Sequence, residues 1–151
     1  DLLAKLQALI DRYNTGSQNI ESWFEELLAF TRELQEEETR AMREGLTEEE
    51  LAIFDILTRP EPPLSDAERD TVKSVARELL ETLKAQRLVI DWWKRQQARS
   101  AVRTHIERML GRGLPEQPYG KALFAQKCGL TYEHVYESYG GSGRNPYAAS
   151  A

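Results

Sequence analysis

The sequence has few of the residues from which active sites and metal centres are usually built. Its 151 residues include one cysteine, Cys128, and two histidines, His105 and His134. A single cysteine cannot form a disulfide within the chain, and these three residues do not make a cluster of metal ligands. Motifs of the forms GxxxxGK(S/T), GxSxG, HExxH and CxxC are missing. We therefore expect no catalytic residue, bound cofactor or metal in this segment.

Long apolar runs are also missing. No run approaches the ~18 residues that a membrane span requires, so we expect no membrane association. Residues 1–10, DLLAKLQALI, are amphipathic and charged, unlike a signal peptide. With a lone cysteine, the sequence favours a reducing, cytoplasmic setting. Because the chain lacks a starting methionine and begins inside a helical pattern, we expect it to be a C-terminal fragment of a larger protein.

Apolar residues make up 40% of the chain and charged residues 30%, which is typical of a helix-rich protein. The formal net charge is −5. Such a molecule is not a generic binder of polyanions, so any contact with nucleic acid needs a local basic patch.

Apolar spacing predicts an all-α fold, an irregular bundle of about six helices with no sheet. Most of the chain, residues 1–139, is predicted to be a single helical domain, made of a helical pair over 1–44 and a main region over 45–139. A glycine-rich flexible tail is predicted over 140–151. The predicted helices cover residues 1–13, about 17–43, 48–58, 66–86, 92–110 and 121–139.

Capping signals support several of these boundaries. Ser65 with Glu68, and Thr47 with Glu50, have the spacing of capping boxes. The helix after Ser65 carries the most regular apolar stripe in the chain, and we expect the short loop that follows it to place Leu88 and Ile90 in the core. In the last helix Gly129 lowers helix stability by about 1 kcal/mol relative to alanine, so this helix could break there.

The most distinctive stretch is residues 88–112, LVIDWWKRQQARSAVRTHIERMLGR. Asp91 is placed to cap a helix that begins at Trp92. After the two tryptophans come six Lys or Arg residues and one acid, Glu107. At least one of Trp92 and Trp93 should be buried, while the other could be an exposed anchor of the kind enriched at interfaces.

Helical geometry places part of this charge beside apolar residues. At 100° per residue, Arg99 lies within about 40° of Arg95 and Arg103 within about 80°, on the side that carries the apolar stripe. Arginines on a core-facing stripe need carboxylate or carbonyl partners. Two interpretations stay open. Arg95, Arg99 and Arg103 could form structural ion pairs with acids such as Glu78 or Glu81 or cap another helix, or they could contact DNA phosphate or an acidic surface of another subunit.

The order of these features resembles the C-terminal helical domain of the R (restriction and motor) subunit of type I restriction-modification enzymes. The resemblance covers roughly residues 45–139, and its most specific part is an Asp-Trp pair followed by a basic helix. The family positions that map onto this chain are Asp91, Trp92, Arg99 and Arg103, whereas Trp93 and Gly129 depart from the pattern. The supporting segments are Phe54-Asp55-Ile56-Leu57, Val89-Ile90-Asp91-Trp92, Gly113-Leu114-Pro115, Gln126-Lys127-Cys128 and His134-Val135-Tyr136.

The resemblance implies a parent chain that is an ATP-dependent DNA translocase and site-specific endonuclease, using ATP and Mg in domains that precede this one. It implies a helical domain that packs on the motor domains and docks to the methyltransferase core of modification and specificity subunits, meeting DNA only through the complex. Two alternatives stand beside it. One is a nucleic-acid-binding module that uses the basic helix 92–112, and the other is an unrelated helical structural or regulatory domain.

Overall fold

The computed structural model describes residues 2–16 and 19–140, and within them the chain forms six α-helices and no strand. The prediction of an all-α fold is therefore confirmed. The predicted helix start at Ser17 and the predicted tail beyond Gly140 lie outside the described residues. The helices are α1 (Leu2–Thr15), α2 (Ile20–Glu44), α3 (Glu48–Thr58), α4 (Asp66–Thr82), α5 (Gln96–Gly113) and α6 (Lys121–Tyr139).

Contacts along the chain define two compact units, one formed by residues 1–48 and the other beginning at Glu49. In the first unit α1 and α2 pack antiparallel. Lys5 pairs with Glu33 at 2.7 Å, and nearer the connection Arg12 pairs with Glu26. These ion pairs are exposed, so each contributes well under about 1 kcal/mol.

A half-buried tryptophan connects α1 and α2. The indole Nε1 of Trp23 donates to the carbonyl oxygen of Leu9 at 2.8 Å, and its ring lies 5.1 Å from that of Tyr13. Asn19 caps α2 by accepting a hydrogen bond from the amide of Glu21. The apolar faces of these two helices are only partly covered, because several large apolar side chains are exposed. They are Leu3, Ile10, Tyr13, Ile20, Phe24, Leu28 and Leu34.

The core of the second unit lies where α4, α5 and α6 meet. The stripe predicted for α4 is buried along its whole length, since Val72, Val75, Ala76, Leu79, Leu80 and Leu83 are each at most 7% exposed. The capping box at Ser65 is confirmed, because its hydroxyl accepts from the amide of Glu68 while the Glu68 carboxylate accepts from the amide of Ser65. This closes the start of α4 and fixes its direction into the core.

The connection from α4 to α5 differs from the prediction. After Thr82 the chain widens into a π-helical turn, Leu83–Arg87, and later tightens into a 3-10 turn, Trp92–Lys94. Arg95 has an extended backbone, and α5 begins only at Gln96. The prediction of a continuous helix from Trp92 capped by Asp91 was therefore wrong. Side-chain bonds from Arg95 and Arg99 to the intervening backbone, and the bond from Trp92 to the end of α6, favour a break that helix propensity does not predict.

The last helix runs without interruption through Gly129, so no break occurs there. One face carries Cys128 and Val135 into the core, whereas Tyr136 is 43% exposed. A lysine is buried instead. The side chain of Lys127 is 1% exposed and donates to two carbonyl oxygens at the end of α3.

Candidate functional site

The segment Leu88–Arg95, here called the 88–95 loop, joins the π-helical turn to α5. Main-chain hydrogen bonds fold it tightly: the amide of Trp92 donates to Val89 O at 3.1 Å, and that of Lys94 donates to Asp91 O at 3.0 Å. Asp91 has a φ of 57°, in the left-handed region. Few residues other than glycine adopt this conformation, but aspartate is among those that tolerate it. Asp91 is thus the residue at which the loop reverses direction, and its side chain forms no cap.

Two arginines tie this loop to α5. Arg95 Nη2 donates to the carbonyl oxygen of Ile90 at 3.0 Å, and Arg99 Nη1 donates to that of Trp93 at 2.7 Å. Hydrogen bonds from a charged donor are shorter and stronger than neutral ones. The Arg99 bond is partly buried and should hold the loop more strongly than the exposed Arg95 bond. The loop is therefore ordered from within its own unit.

Trp92 is the buried member of the tryptophan pair, as the sequence predicted for at least one of the two. Trp92 is 1% exposed, and its Nε1 donates to the carbonyl oxygen of Tyr139 at 3.1 Å. Its ring also meets Tyr136 edge to face, with centroids 6.0 Å apart. Trp92 thus satisfies a carbonyl at the end of α6, which the helix itself leaves unpaired. Trp93 is half-buried.

Arg103 makes a different contact. Its guanidinium carbon lies 4.3 Å from the centre of the Tyr132 ring on α6, a cation–π geometry. Both side chains line a cleft of about 320 Å³ that also reaches Cys128. Burial raises the pKa of the Cys128 thiol to about 11, with the charge of Glu107 acting in the same direction. A thiol with such a pKa remains protonated at neutral pH and is a weak nucleophile.

The arginine partners correspond to neither of the acids considered from the sequence. In the part of the chain that the structure describes, Arg95, Arg99 and Arg103 form no ion pair with Glu78 or Glu81. Carbonyl oxygens and an aromatic ring take that place. Arg95 also precedes α5, so the angular argument that placed it on the apolar face of a helix does not apply to it.

The tip of the 88–95 loop is apolar and exposed. Val89 is 47% exposed and Ile90 is 87% exposed, so the prediction that Ile90 enters the core was wrong. Ile90 lies at the tip of a tight backbone turn, and its carbonyl oxygen is bonded by Arg95, so its side chain points away from the core. Beside the tip lies a shallow groove of about 670 Å³. It is lined by Val89, Arg95, Gln96, Gln97, Ala98 and Ala101.

A second polar site holds three helices together. The carboxylate of Glu49, at the start of α3, accepts a hydrogen bond from the hydroxyl of Tyr139 at 2.6 Å and pairs with Lys84 of the π-helical turn. The Lys84 ammonium also lies 5.6 Å from the centre of the Tyr139 ring. These contacts anchor the end of α6 close to where Trp92 bonds it.

Sequence reasoning missed the residues that close the far end of α3. Tyr119 donates to Leu57 O at 2.8 Å, while Lys127 donates to Ile56 O and Arg59 O at 2.8 and 2.9 Å. Burial raises the pKa of Tyr119 to about 12, helped by the charge of Glu68, and burial lowers the pKa of Lys127. The available signal was the position of Lys127 immediately before Cys128, within the segment Gln126-Lys127-Cys128 that carries part of the family resemblance.

Comparison with known proteins shows the family to which the chain belongs. Residues 1–124 match the protein family described as "Type I restriction enzyme HindI endonuclease subunit-like, C-terminal". The chain belongs to this family, and it is the C-terminal domain of a type I restriction enzyme endonuclease subunit.

Two relatives carry the same designation. One is a type I restriction enzyme MjaIXP endonuclease subunit from Methanocaldococcus jannaschii, 29% identical over 107 residues that make up 70% of this chain and 10% of the relative. The other is the type I restriction enzyme HindI endonuclease subunit from Haemophilus influenzae, 26% identical over 119 residues that make up 79% of this chain and 11% of the relative. The chain thus spans about a tenth of the length of the curated relatives it matches. No solved structure matches it significantly.

Two further observations concern ions and membranes. Among residues 2–16 and 19–140, no group of three or more His, Cys, Asp or Glu side chains is arranged to hold a metal ion. No helix within the same ranges is both long and apolar enough to cross a bilayer.

Proposed function

We propose that this chain is a non-catalytic assembly domain of its endonuclease subunit, packing on the motor domains of the same subunit and docking to the methyltransferase core of modification and specificity subunits. In this proposal ATP and Mg are used by the motor domains, and DNA is reached through the assembled complex. The proposal places the domain in the cytoplasm with the rest of the enzyme.

The observation that best supports this proposal is that the distinctive side chains hold other parts of the domain in place. Trp92, Arg99 and Lys127 each donate a hydrogen bond to a main-chain carbonyl of another segment. Groups bound in this way fix the relative positions of α3, α5 and α6 and of the 88–95 loop. A domain built like this provides a rigid surface, which suits a role in assembly.

Membership of a family named for endonuclease subunits supports the same proposal, because such a subunit acts with other subunits. The matched relatives are about ten times longer than the segment they share with this chain. About nine tenths of such a subunit lies outside this domain, and the proposal places the catalytic sites there.

A binding experiment tests the proposal. The full-length endonuclease subunit is expected to associate with the purified methyltransferase, and a subunit that lacks this domain is expected to lose that association. Size-exclusion chromatography with light scattering reports the complex directly. Association that is unchanged after removal of the domain would contradict the proposal.

The alternative of direct nucleic-acid binding also has an observation in its favour, because residues 87–112 carry seven Lys or Arg and only two acids. It predicts affinity for duplex DNA that falls steeply with salt, with a slope that is reduced when Arg103 and Arg108 are replaced by Ala. If the isolated chain does not bind duplex DNA at low salt, this alternative is wrong.

A further inference from the structure

Ile90 is the most exposed large apolar side chain in the described part of the protein, and it lies on a loop held by several hydrogen bonds. Ile90 is 87% exposed, more than Met42 at 77% or Ile20 at 76%. Its own carbonyl oxygen is held by Arg95 Nη2, and the loop is bonded again at Trp93 by Arg99. An exposed isoleucine adds little to the stability of its own domain, since it removes little apolar surface from water.

The loop is ordered before any partner arrives. The buried Trp92 anchors one side, two main-chain turns close the loop, and the arginines bond its carbonyl groups. The side chain at the tip is β-branched, so it has few rotamers to lose. Because less conformational entropy is lost on binding, a pre-ordered apolar knob of this kind contributes more to affinity than a flexible one.

The charge around the knob indicates what kind of surface fits it. Residues 87–112 carry a formal charge of +5, whereas the rest of the chain carries −10. Within the loop the Lys94 side chain is 66% exposed and makes only a long, exposed contact with Asp91, at 3.8 Å; Arg95 is also exposed, and the shallow groove lies next to them. A complementary partner has an apolar pocket for Ile90 and carboxylates around its rim, the usual arrangement of a protein interface with an apolar centre and a polar edge.

A protein fits these features better than nucleic acid does. Contacts to phosphate are made by cationic and N–H donors, and they leave an apolar tip such as Ile90 in water. The two arginines nearest the tip, Arg95 and Arg99, already donate to the loop's carbonyl groups. The centre of the exposed surface is therefore apolar, and the positive charge lies at its edge.

We infer that the 88–95 loop is the docking knob of this domain, with Ile90 entering an apolar pocket rimmed by acidic side chains on another protein subunit and Lys94 pairing with that rim. This inference rests on the proposed function, in which the subunit belongs to the methyltransferase core. It adds the surface, the anchoring residue and the chemistry of the partner's site.

The test compares variants of the full-length endonuclease subunit for affinity to the purified methyltransferase core. Ile90→Asp is expected to weaken binding at least tenfold, because it places a charge in an apolar pocket and opposite an acidic rim. Lys94→Glu is expected to weaken binding less, and mainly at low salt. Ile20→Asp changes an isoleucine of similar exposure in the other unit and is expected to bind like the wild-type subunit.

Each result has a defined meaning. If the wild-type subunit binds and Ile90→Asp binds equally well, the inference about the docking knob is wrong, although the assembly function stands. The same holds if Ile20→Asp loses as much affinity for the methyltransferase core as Ile90→Asp does. If the wild-type subunit fails to bind, the assembly function itself fails. If Ile90→Asp weakens binding to a duplex DNA probe as much as binding to the methyltransferase core, the partner is nucleic acid and the inference is overturned. Unchanged thermal unfolding of Ile90→Asp shows that the domain remains folded.

Discussion

The ammonium group of Lys127 donates a hydrogen bond to the carbonyl oxygen of Ile56 across 2.8 Å, although 71 residues separate them in the chain. A second bond, to the carbonyl oxygen of Arg59 at 2.9 Å, completes the contact. The last carbonyl groups of a helix have no partner within it, and the end of a helix dipole is negative. A buried cation at this position satisfies both requirements, which explains how a lysine is 1% exposed in a protein core.

Replacing this lysine should therefore destabilise the domain. Lys127→Met keeps most of the side-chain volume but leaves two carbonyl groups without their donor, and we expect a loss of about 1–3 kcal/mol in the free energy of unfolding. Urea denaturation followed by circular dichroism measures it. Lys121→Met, an exposed lysine at the start of the same helix, should change the midpoint little. Equal midpoints for the two variants would count against the capping role.

Trp92 joins the 88–95 loop to the end of α6 through both its volume and its Nε1–H. Trp92→Phe keeps an aromatic ring but removes the donor to Tyr139, and we expect it to lower the free energy of unfolding by about 1–2 kcal/mol. Trp92→Ala also leaves a cavity, so its expected loss is about 3–5 kcal/mol. Trp93→Ala removes a half-buried ring and should cost less than Trp92→Ala. If urea denaturation shows a larger loss for Trp93→Ala than for Trp92→Ala, Trp92 is not the anchor of the loop.

Two glycines at helical positions should respond in opposite directions to alanine. A Cβ at Gly129, in the middle of α6, meets nothing within 4 Å, so Gly129→Ala should raise the free energy of unfolding by up to about 1 kcal/mol through helix propensity. A Cβ at Gly113 lies 2.5 Å from Cγ2 of the buried, stiff Val75. Gly113→Ala should therefore lower the free energy of unfolding by about 1–3 kcal/mol. Thermal unfolding of both variants checks the prediction, which fails if their shifts have the same sign.

Stability should fall in mildly acidic solution because of His105. Burial lowers the pKa of this imidazole below its ordinary 6.5, and the charges of Arg87 and Arg108 act in the same direction. The unfolded chain then takes up a proton near pH 6.5 while the folded chain resists it, so the unfolded state binds more protons as the pH falls. The free energy of unfolding should decrease as the pH is lowered through 6.5 and should level off below the folded-state pKa.

A variant isolates this contribution. His105 Nε2 lies 2.7 Å from Oγ1 of Thr82, and His105→Gln keeps a polar partner for that hydroxyl without a titrating group. Urea denaturation between pH 7.5 and about 5.5, above the main titration range of carboxylates, should show a shallower decrease for the variant than for the wild type. Burial also lowers the pKa of His134, which should account for part of the decrease that remains. If the wild type and His105→Gln lose stability in parallel as the pH falls, the decrease does not arise from His105.

The candidate site was only partly predictable. The residues that matter in the 88–95 loop, Asp91, Trp92, Arg95 and Arg99, were all singled out from the sequence, because an Asp-Trp-Trp triplet ahead of a basic helix is unusual. Their partners were not predictable. Arg99 bonds the carbonyl oxygen of Trp93, and Trp92 bonds that of Tyr139, 47 residues away. Every residue has a main-chain carbonyl of the same kind, so no side-chain pattern marks which carbonyl will accept.

Exposure was harder to predict than helix formation. The apolar run Leu88-Val89-Ile90 suggested a buried segment, yet Ile90 is the most exposed large apolar side chain described. Conversely, Lys127 is charged and buried. Burial depends on what surrounds a side chain: Lys127 meets the end of α3, which is distant in sequence, whereas Ile90 lies at the tip of a tight local turn.

The sequence by itself determined the six helices, most of their ends and the buried face of α4, because helix periodicity, capping residues and glycine or proline stops act over a few neighbouring positions. It also carried the family pattern. Tertiary structure alone decided that α5 begins at Gln96 rather than Trp92, that Arg95 and Arg99 hold backbone rather than acids, and that Lys127 closes α3. Lys127 bonds a carbonyl 71 residues away that only packing brings close, and even the nearby carbonyls that Arg95 and Arg99 bond have no signature in the sequence, because main-chain groups are alike at every position.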